Sequence, residues 1–352
     1  MARLRLLFAA NLHWNAGSSH MIAEYARVAG SVGCEVGVST QLSRMDSVVP
    51  AHLPLVDDLA WATHLVLVFE GRQFLNDDQV ELCARIPRER RVIIDPDAHW
   101  GPVLRDGLDV SHGTYSQESW IELYRGLADL VLQPKIDGPL PDGAQYFSYF
   151  GMPDVHRRAT HAPVPFDMAF QIQYIGSNWW RWPQVAGLVE AALRANPRPR
   201  SLRVCGRWWD GSPHEGHTCA TASTRGWLRS RGVGVAPSVP FGQVVSEMSR
   251  SAITPILVRP TLAKCGLLTP RMLETIASGS LPLIGRDLKY LVSVYGDEAF
   301  SFTLGDDASD AIGRLLSDYA RLRRAVDSIQ ERVHATFNYR HTLRRLVTLL
   351  NG

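Results

Sequence analysis

A chain of 352 residues, 45% hydrophobic and 20% charged, has the size and balance of a soluble protein with two globular domains, which excludes a disordered or fibrous chain. Its net charge is +2 with Lys135, Lys264 and Lys289 as the only lysines, which is little of the basic footprint usual for a nucleic-acid binder, and no apolar run approaches the ~18–20 residues that cross a bilayer. The scattered cysteines Cys34, Cys83, Cys205, Cys219 and Cys265 lack C-x-x-C spacing, so they read as reduced thiols of a cytoplasmic protein and not as a disulfide framework or a zinc site.

Residues 4–10 read as a first strand. The opening MARLRLLFAAN is basic and then apolar like a signal peptide, but its apolar core is short and runs directly into polar residues 11–15. The loop NLHWNAGSSH follows, then a helix over 21–32 and a strand over 35–39. Such a β-loop-α-β opening begins a doubly wound sheet, whose ligands bind beyond the carboxyl ends of the strands. His13, Ser18, Ser19 and His20 then lie on the functional edge as acceptor-binding candidates, with ordinary loop histidines as the plain alternative. G-x-G-x-x-G is absent, so there is no dinucleotide fingerprint.

Residues 64–69 and 92–94 read as buried strands, and the second runs into DPDAHWGP. Asp95, Asp97, His99 and Trp100 therefore gather where a parallel strand leaves its sheet. The two aspartates have two possible chemistries: a D-x-D pair holding a divalent ion against a diphosphate, or a general base that takes a proton from a hydroxyl. An Asx-turn beside Pro96 is the structural alternative. Residues 127–132 read as a strand or helix end, 145–150 as an aromatic strand, and 153–165 as a linker.

The second half restarts the alternation: a strand over 169–175, the turn GSNWWRWP, a helix over 184–194, a strand over 201–205 and the loop GRWWDG. Glycine turns between strand and helix expose backbone N–H groups to phosphate, which makes Gly176, Ser177 and Arg181, with Gly206 and Arg207, candidates for an anionic donor. A strand over 232–235, an extended Val239-Pro240-Phe241, a helix over 243–251 and a strand over 252–258 follow. The stretch RMLETIASGSLP, after Thr269-Pro270, then reads as a helix stopped by Gly279 and feeding a strand over 281–284. Arg271 and Glu274 share one face of its first turn. A guanidinium there can neutralise phosphate and a carboxylate can accept ribose hydroxyls; a surface ion pair is the alternative. Two helices, 308–325 and 328–350, close the chain, and the arginines Arg321, Arg323, Arg324, Arg340, Arg344 and Arg345 read as solvated faces.

Arg-x-x-Glu, then Ala-Ser-Gly, then Leu-Pro before a strand resembles the donor-binding segment of GT-B glycosyltransferases. The order of motifs along the whole chain resembles one group of them, the T-even phage DNA β-glucosyltransferases. SSHMIAEYARVAGSVGCEVGVST (18–40) is similar to that group's first helix and second strand, YIGS (174–177) to its first donor-domain turn, VSEMSRSA (245–252) to a helix before its uracil site, and LTPRMLETIASG is the most specific match. The resemblance implies an α/β GT-B fold: two Rossmann-like doubly wound domains facing across a cleft, an acceptor-binding one over 1–160 and a nucleotide-sugar-binding one over 166–330, with a terminal helix over 331–352 that packs back towards the first. It implies UDP-glucose as donor, Arg271 on the diphosphate, Glu274 on the ribose, Val239 to Phe241 on the uracil, and Asp97 as catalytic base with Asp95 one alignment slip away and His20 beside them. No cofactor or metal is required, with a divalent cation at most assisting product release. The group carries two arginines after the Gly-Ser turn, whereas here Arg181 stands alone among Trp179, Trp180 and Trp182. The resemblance points to a hydroxymethylated base in DNA as acceptor; the near-neutral charge points to a small nucleoside-like acceptor, which is the preferred expectation. A binding protein that has lost catalysis is the third reading, and no membrane partner is expected.

Overall fold

The computed structural model describes residues 3–12, 17–45, 53–70, 75–101, 117–154, 168–195 and 202–351. The chain divides into two units, Met1–Gly151 with Lys264–Pro270 and Thr336–Gly352, and Met152–Ala263 with Arg271–Ala335. The sequence-read residue His13 and almost all of the expected linker lie outside the described residues.

The first unit contains β1 (Leu4–Ala10), α1 (Gly17–Val32), β2 (Cys34–Ser39), β3 (Leu55–Val56), β4 (His64–Val68), α2 (Asp77–Cys83), β5 (Arg91–Ile94), α3 (Gln117–Leu127), β6 (Leu130–Gln133) and β7 (Ala144–Tyr146). Its seven strands are all parallel in the order β3-β2-β1-β4-β5-β6-β7. The strands read as apolar runs because both faces of such a sheet are covered. Leu6 to Ala10 are wholly buried, and each large apolar side chain so buried contributes roughly 1.5–3 kcal/mol.

The second unit contains β8 (Phe170–Ile175), α4 (Trp182–Ala195), β9 (Leu202–Cys205), α5 (Thr218–Thr221), α6 (Trp227–Ser230), β10 (Gly234–Ala236), α7 (Val244–Met248), β11 (Ser251–Ile256), α8 (Pro260–Lys264), α9 (Pro270–Ser278), β12 (Leu281–Ile284), α10 (Val292–Tyr295), α11 (Ala308–Ser317) and α12 (Tyr319–Phe337). Its five strands are parallel in the order β10-β9-β8-β11-β12. The last helix, α13 (Tyr339–Asn351), returns to the first unit. There the Tyr339 ring meets Tyr25 of α1 edge-on at 5.9 Å, and its hydroxyl donates to Met21 Sδ at 3.0 Å.

Several elements differ from the sequence reading. Ser18, Ser19 and His20 belong to the first turn of α1 and not to the preceding loop. The aromatic strand over 145–150 gives way to β7, and Phe147, Tyr149 and Phe150 are buried beyond its end, the Phe147 N–H still donating to the Gln133 carbonyl at 2.9 Å. The chain closes with three helices where two were read: α11 ends at Asp318, and Asn338 breaks the remainder, its side chain accepting from the His341 N–H at 2.9 Å to start α13. Among the described residues no helix is long and apolar enough to cross a membrane.

Candidate active site

In a doubly wound sheet the crevice opens where strand order reverses. In the first unit that point lies between β1 and β4. Glu70, just past the end of β4, reaches the N-terminus of α1, which follows β1: the Ser18 N–H donates to Glu70 Oε2 at 3.1 Å, and the Ser18 hydroxyl donates to the same oxygen in a short bond. A carboxylate is favoured at this end of a helix by the exposed N–H groups and the dipole. The buried Tyr149 hydroxyl donates to the Ser18 carbonyl at 3.4 Å; burial and then the Glu70 charge push the phenol well above its ordinary range. Glu70 was not singled out in the sequence, although it is the first charged residue after a buried strand, the same signal that picked out Asp95.

Beyond β5 the chain makes a tight turn through Ala98, a non-glycine residue held at φ 57°. Asp95, with no exposed surface, organises the turn. Its Oδ1 accepts from the His99 N–H at 3.0 Å and the Tyr124 hydroxyl at 3.2 Å, and lies 3.1 Å from His99 Nδ1. Its Oδ2 accepts from the Trp100 N–H at 2.8 Å and Gln133 Nε2 at 2.7 Å. A buried carboxylate needs this many donors to stay charged away from water. Burial, followed by the Asp95 charge and hydrogen bond, pushes the Tyr124 phenol well up, with Asp97 adding to it. Asp97, two residues on, retains 8% exposure. Its charge and that of Asp95 also reach Cys265, whose thiol is pushed up to about 11, chiefly by burial. His99 is wholly buried, and Trp100 stacks on Tyr124 at 5.9 Å while its indole N–H donates to the Asp142 carbonyl at 2.8 Å. His20 is partly exposed on α1.

In the second unit the reversal lies between β8 and β11. Arg181 spans it: Nε donates to the Leu257 carbonyl beyond β11 at 3.2 Å, and Nη1 to the carbonyls of Ser177 and Trp179 beyond β8 at 3.3 and 3.2 Å. The turns after β8 and β9 press together. A Cβ on Gly206 would stand 2.2 Å from the Gly176 carbonyl oxygen, and both residues have positive φ, 147° and 159°, so each turn requires glycine. The Arg207 N–H donates to Ser177 Oγ at 3.4 Å, and the buried Trp209 indole donates to the Gly176 carbonyl at 2.8 Å. Ile175, Cys205, Val244 and Met248 form an apolar cluster beneath these turns, with Val239 packed against it. Pro240 is exposed and Phe241 begins a single 3-10 turn.

Arg271 and Glu274 occupy the first turn of α9. The Arg271 Nη1 touches Met248 Sδ at 4.0 Å and lies 3.2 Å from Glu274 Oε2. That contact is an ion pair off hydrogen-bond geometry, and Glu274 Oε2, in a residue 5% exposed, has no hydrogen-bond partner among the described residues. The rest of α9 is locked: the Tyr295 hydroxyl donates to the Met272 carbonyl at 2.6 Å and Gln330 Nε2 to the Ile276 carbonyl at 2.7 Å. The sequence-read residues among those described thus fall at the carboxyl edges of the two sheets, one set in each unit. Among the described residues no group of three or more His, Cys, Asp or Glu side chains is placed to hold a metal ion.

Residues 184–348 match the Glycosyl transferase-like family. No curated protein sequence matches the chain. Among solved structures, an alpha-glucosyltransferase in complex with UDP-glucose and DNA containing an abasic site is similar over 99% of this chain and 100% of its own, at 14% identity and a TM-score of 0.67. T4 phage BGT in complex with its UDP-glucose substrate is similar over 99% of both chains, at 12% identity and a TM-score of 0.57. With two parallel doubly wound sheets, a glycosyl transferase-like second half and full-length likeness to such enzymes, the chain has the GT-B fold of the nucleotide-sugar glycosyltransferases.

Proposed function

We propose that the protein transfers glucose from UDP-glucose to a hydroxyl borne by a nucleobase. The observation that carries this reading is Glu274 Oε2, buried beside Arg271 without a hydrogen-bond partner among the described residues. A buried carboxylate oxygen left without donors is costly, and ribose hydroxyls supply them. Arg271 then meets the diphosphate together with the Ser177 backbone N–H, and Val239 to Phe241 flank the uracil. The N–H groups of Gly176 and Gly206 donate to the Cys205 and Ala236 carbonyls, and that of Arg207 to Ser177 Oγ, so they hold the two turns together. Arg181, which donates to three carbonyls, holds the turns in place.

In the first unit Asp97 acts as general base, and Asp95, with both oxygens occupied, holds the turn that presents it. The acceptor hydroxyl gives its proton to Asp97 as its oxygen bonds to the anomeric carbon. The bond from that carbon to the diphosphate breaks, and UDP leaves with the electron pair. Arg271 and the Ser177 N–H stabilise the charge growing on UDP. This single displacement inverts the anomeric centre; the α-linked donor yields a β-linked product. A divalent ion assists only UDP release, so EDTA slows turnover without abolishing it.

The full-length likeness to structures that contain DNA favours a hydroxymethylated base within DNA as acceptor. The net charge of +2 favours a second reading, a free nucleoside-like acceptor. Mass spectrometry of mixtures containing UDP-glucose and either hydroxymethylated DNA or the matching nucleosides tests both. Transfer to DNA that collapses between low and moderate salt supports the first, and salt-insensitive transfer to nucleosides the second. UDP binding without any product would leave a non-catalytic binding protein. An α-anomeric proton coupling in the product would overturn the single displacement.

A further inference from the structure

Between β9 and β10 lies a segment of which the donor reading uses only the opening turn, Gly206-Arg207. Four rings on it and on the neighbouring β8 turn close into a cycle: Trp179 to Trp208 at 5.8 Å, Trp208 to His214 at 5.2 Å, His214 to His217 at 5.3 Å, and His217 back to Trp179 at 5.0 Å. All four side chains are partly exposed. The adjacent Trp209 does the opposite: it is 2% exposed and packs edge-on against Tyr174 at 5.9 Å. One tryptophan of the pair therefore anchors the loop in the core, and the other joins the surface patch.

The backbone beneath the patch is over-determined. Trp208 is held at φ 64° and Trp180 at φ 60°, a left-handed conformation that non-glycine residues adopt only against a steric cost. Asn178, with no exposed surface, offers Nδ2 to the carbonyls of Trp208 at 3.1 Å, Thr221 at 2.9 Å and Ala222 at 2.8 Å. Ser223 Oγ donates to the Trp208 carbonyl at 3.0 Å, the Trp180 N–H to the Ala220 carbonyl at 2.6 Å, and the His214 N–H to Thr221 Oγ1 at 2.8 Å. Strain held by so many bonds marks a surface that is set before it meets a ligand.

We propose that this patch is a stacking site for an unpaired nucleobase, a proposal that rests on the nucleobase acceptor argued above. Flat π-faces stack on any base. The exposed Arg207, next to Trp208, supplies charge for a phosphate. An apolar peptide or lipid is a poorer match, because the large hydrophobic side chains exposed among the described residues, Leu55 and Phe300, lie elsewhere.

Tryptophan fluorescence of the whole protein tests the proposal without UDP present. The ligands are thymidine, a short oligothymidylate, and an abasic strand of the same length and charge. The oligothymidylate is expected to quench and to bind at least about tenfold more tightly than the abasic strand. Quenching by thymidine alone identifies a free-nucleoside source, and quenching only by the strand identifies DNA. Trp208→Gly, which keeps the positive φ accessible, and His217→Ala are each expected to weaken strand binding about tenfold while UDP affinity by calorimetry stays at the parent value. Equal affinity for base-bearing and abasic strands, or variants that bind like the parent, overturns the proposal even if both variants fold poorly, since the first comparison needs no variant. Loss of the glucosyltransferase reading would show separately, as an absence of UDP binding or transfer.

Discussion

Glu274 Oε2 and Arg271 Nη1 stand 3.2 Å apart across one turn of α9, close enough for ion pairing but outside hydrogen-bond geometry. The pair leaves a buried carboxylate oxygen without a hydrogen-bond donor among the described residues. Two hydroxyls donated to the carboxylate would complete it, and hydrogen bonds to a charged group contribute roughly 1.5–3 kcal/mol. Glu274→Ala is therefore expected to weaken UDP binding by about ten- to a hundredfold in calorimetry, with little change in melting temperature. Unchanged affinity would remove the ribose role.

The two aspartates of the β5 turn should separate by what they damage. Asp97→Asn is expected to lower kcat by about a hundred- to ten-thousandfold and to leave both UDP affinity and stability near the parent values. Asp95→Asn turns an acceptor of buried donors into a partial donor and is expected to lose about 3 kcal/mol or more of stability, read by denaturant unfolding. If the two variants show the same phenotype, the division into base and positioning residue is wrong.

Gly206→Ala drives a methyl to 2.2 Å from the Gly176 carbonyl at a φ of 147°. The two turns must then part, and a destabilisation of about 2 kcal/mol or more is expected together with weaker UDP binding. Gly187→Ala, mid-helix in α4 with open space around its Cβ, is the control and should be neutral or slightly stabilising.

Burial, reinforced by the charge of Arg90, lowers the pKa of His64 from its ordinary value of about 6.5, against a hydrogen bond with the Leu350 backbone that raises it. A folded-state value below the unfolded one means that protonation favours the unfolded chain. The first unit is thus expected to hold its stability above about pH 6.5 and to lose some as pH falls through that value towards the lowered one. His64→Gln should flatten this part of a melting-temperature profile measured between neutral and mildly acidic pH. A slope unchanged by the substitution would assign the effect to other groups.

Much of the fold was written locally. The apolar runs that became β1, β4, β5, β8 and β12 were legible because strands of a parallel sheet are buried on both faces, and Gly279 marked the end of α9. The two-residue β3 carries too little pattern to register. The first turn of α1 read as loop because apolar periodicity begins only at Met21; what completes the helix start is Glu70, 52 residues further on. The same limit governs the site. Sequence left Asp95 open as base, metal ligand or turn former, and Tyr124 and Gln133, 29 and 38 residues away, occupy its oxygens. Arg181 read as a phosphate ligand from its turn alone, while the Leu257 carbonyl that takes its Nε lies 76 residues downstream.

Because α13 rests on α1 through Tyr339, Tyr25 and Met21, the first unit borrows its closing piece from a part of the chain translated after the whole of the second. On the ribosome, an emerging 1–151 segment would display the unmet face of α1 until synthesis has passed residue 339, and would need shielding from its neighbours in that interval. Removing the final helix should therefore harm the half of the molecule that is made first.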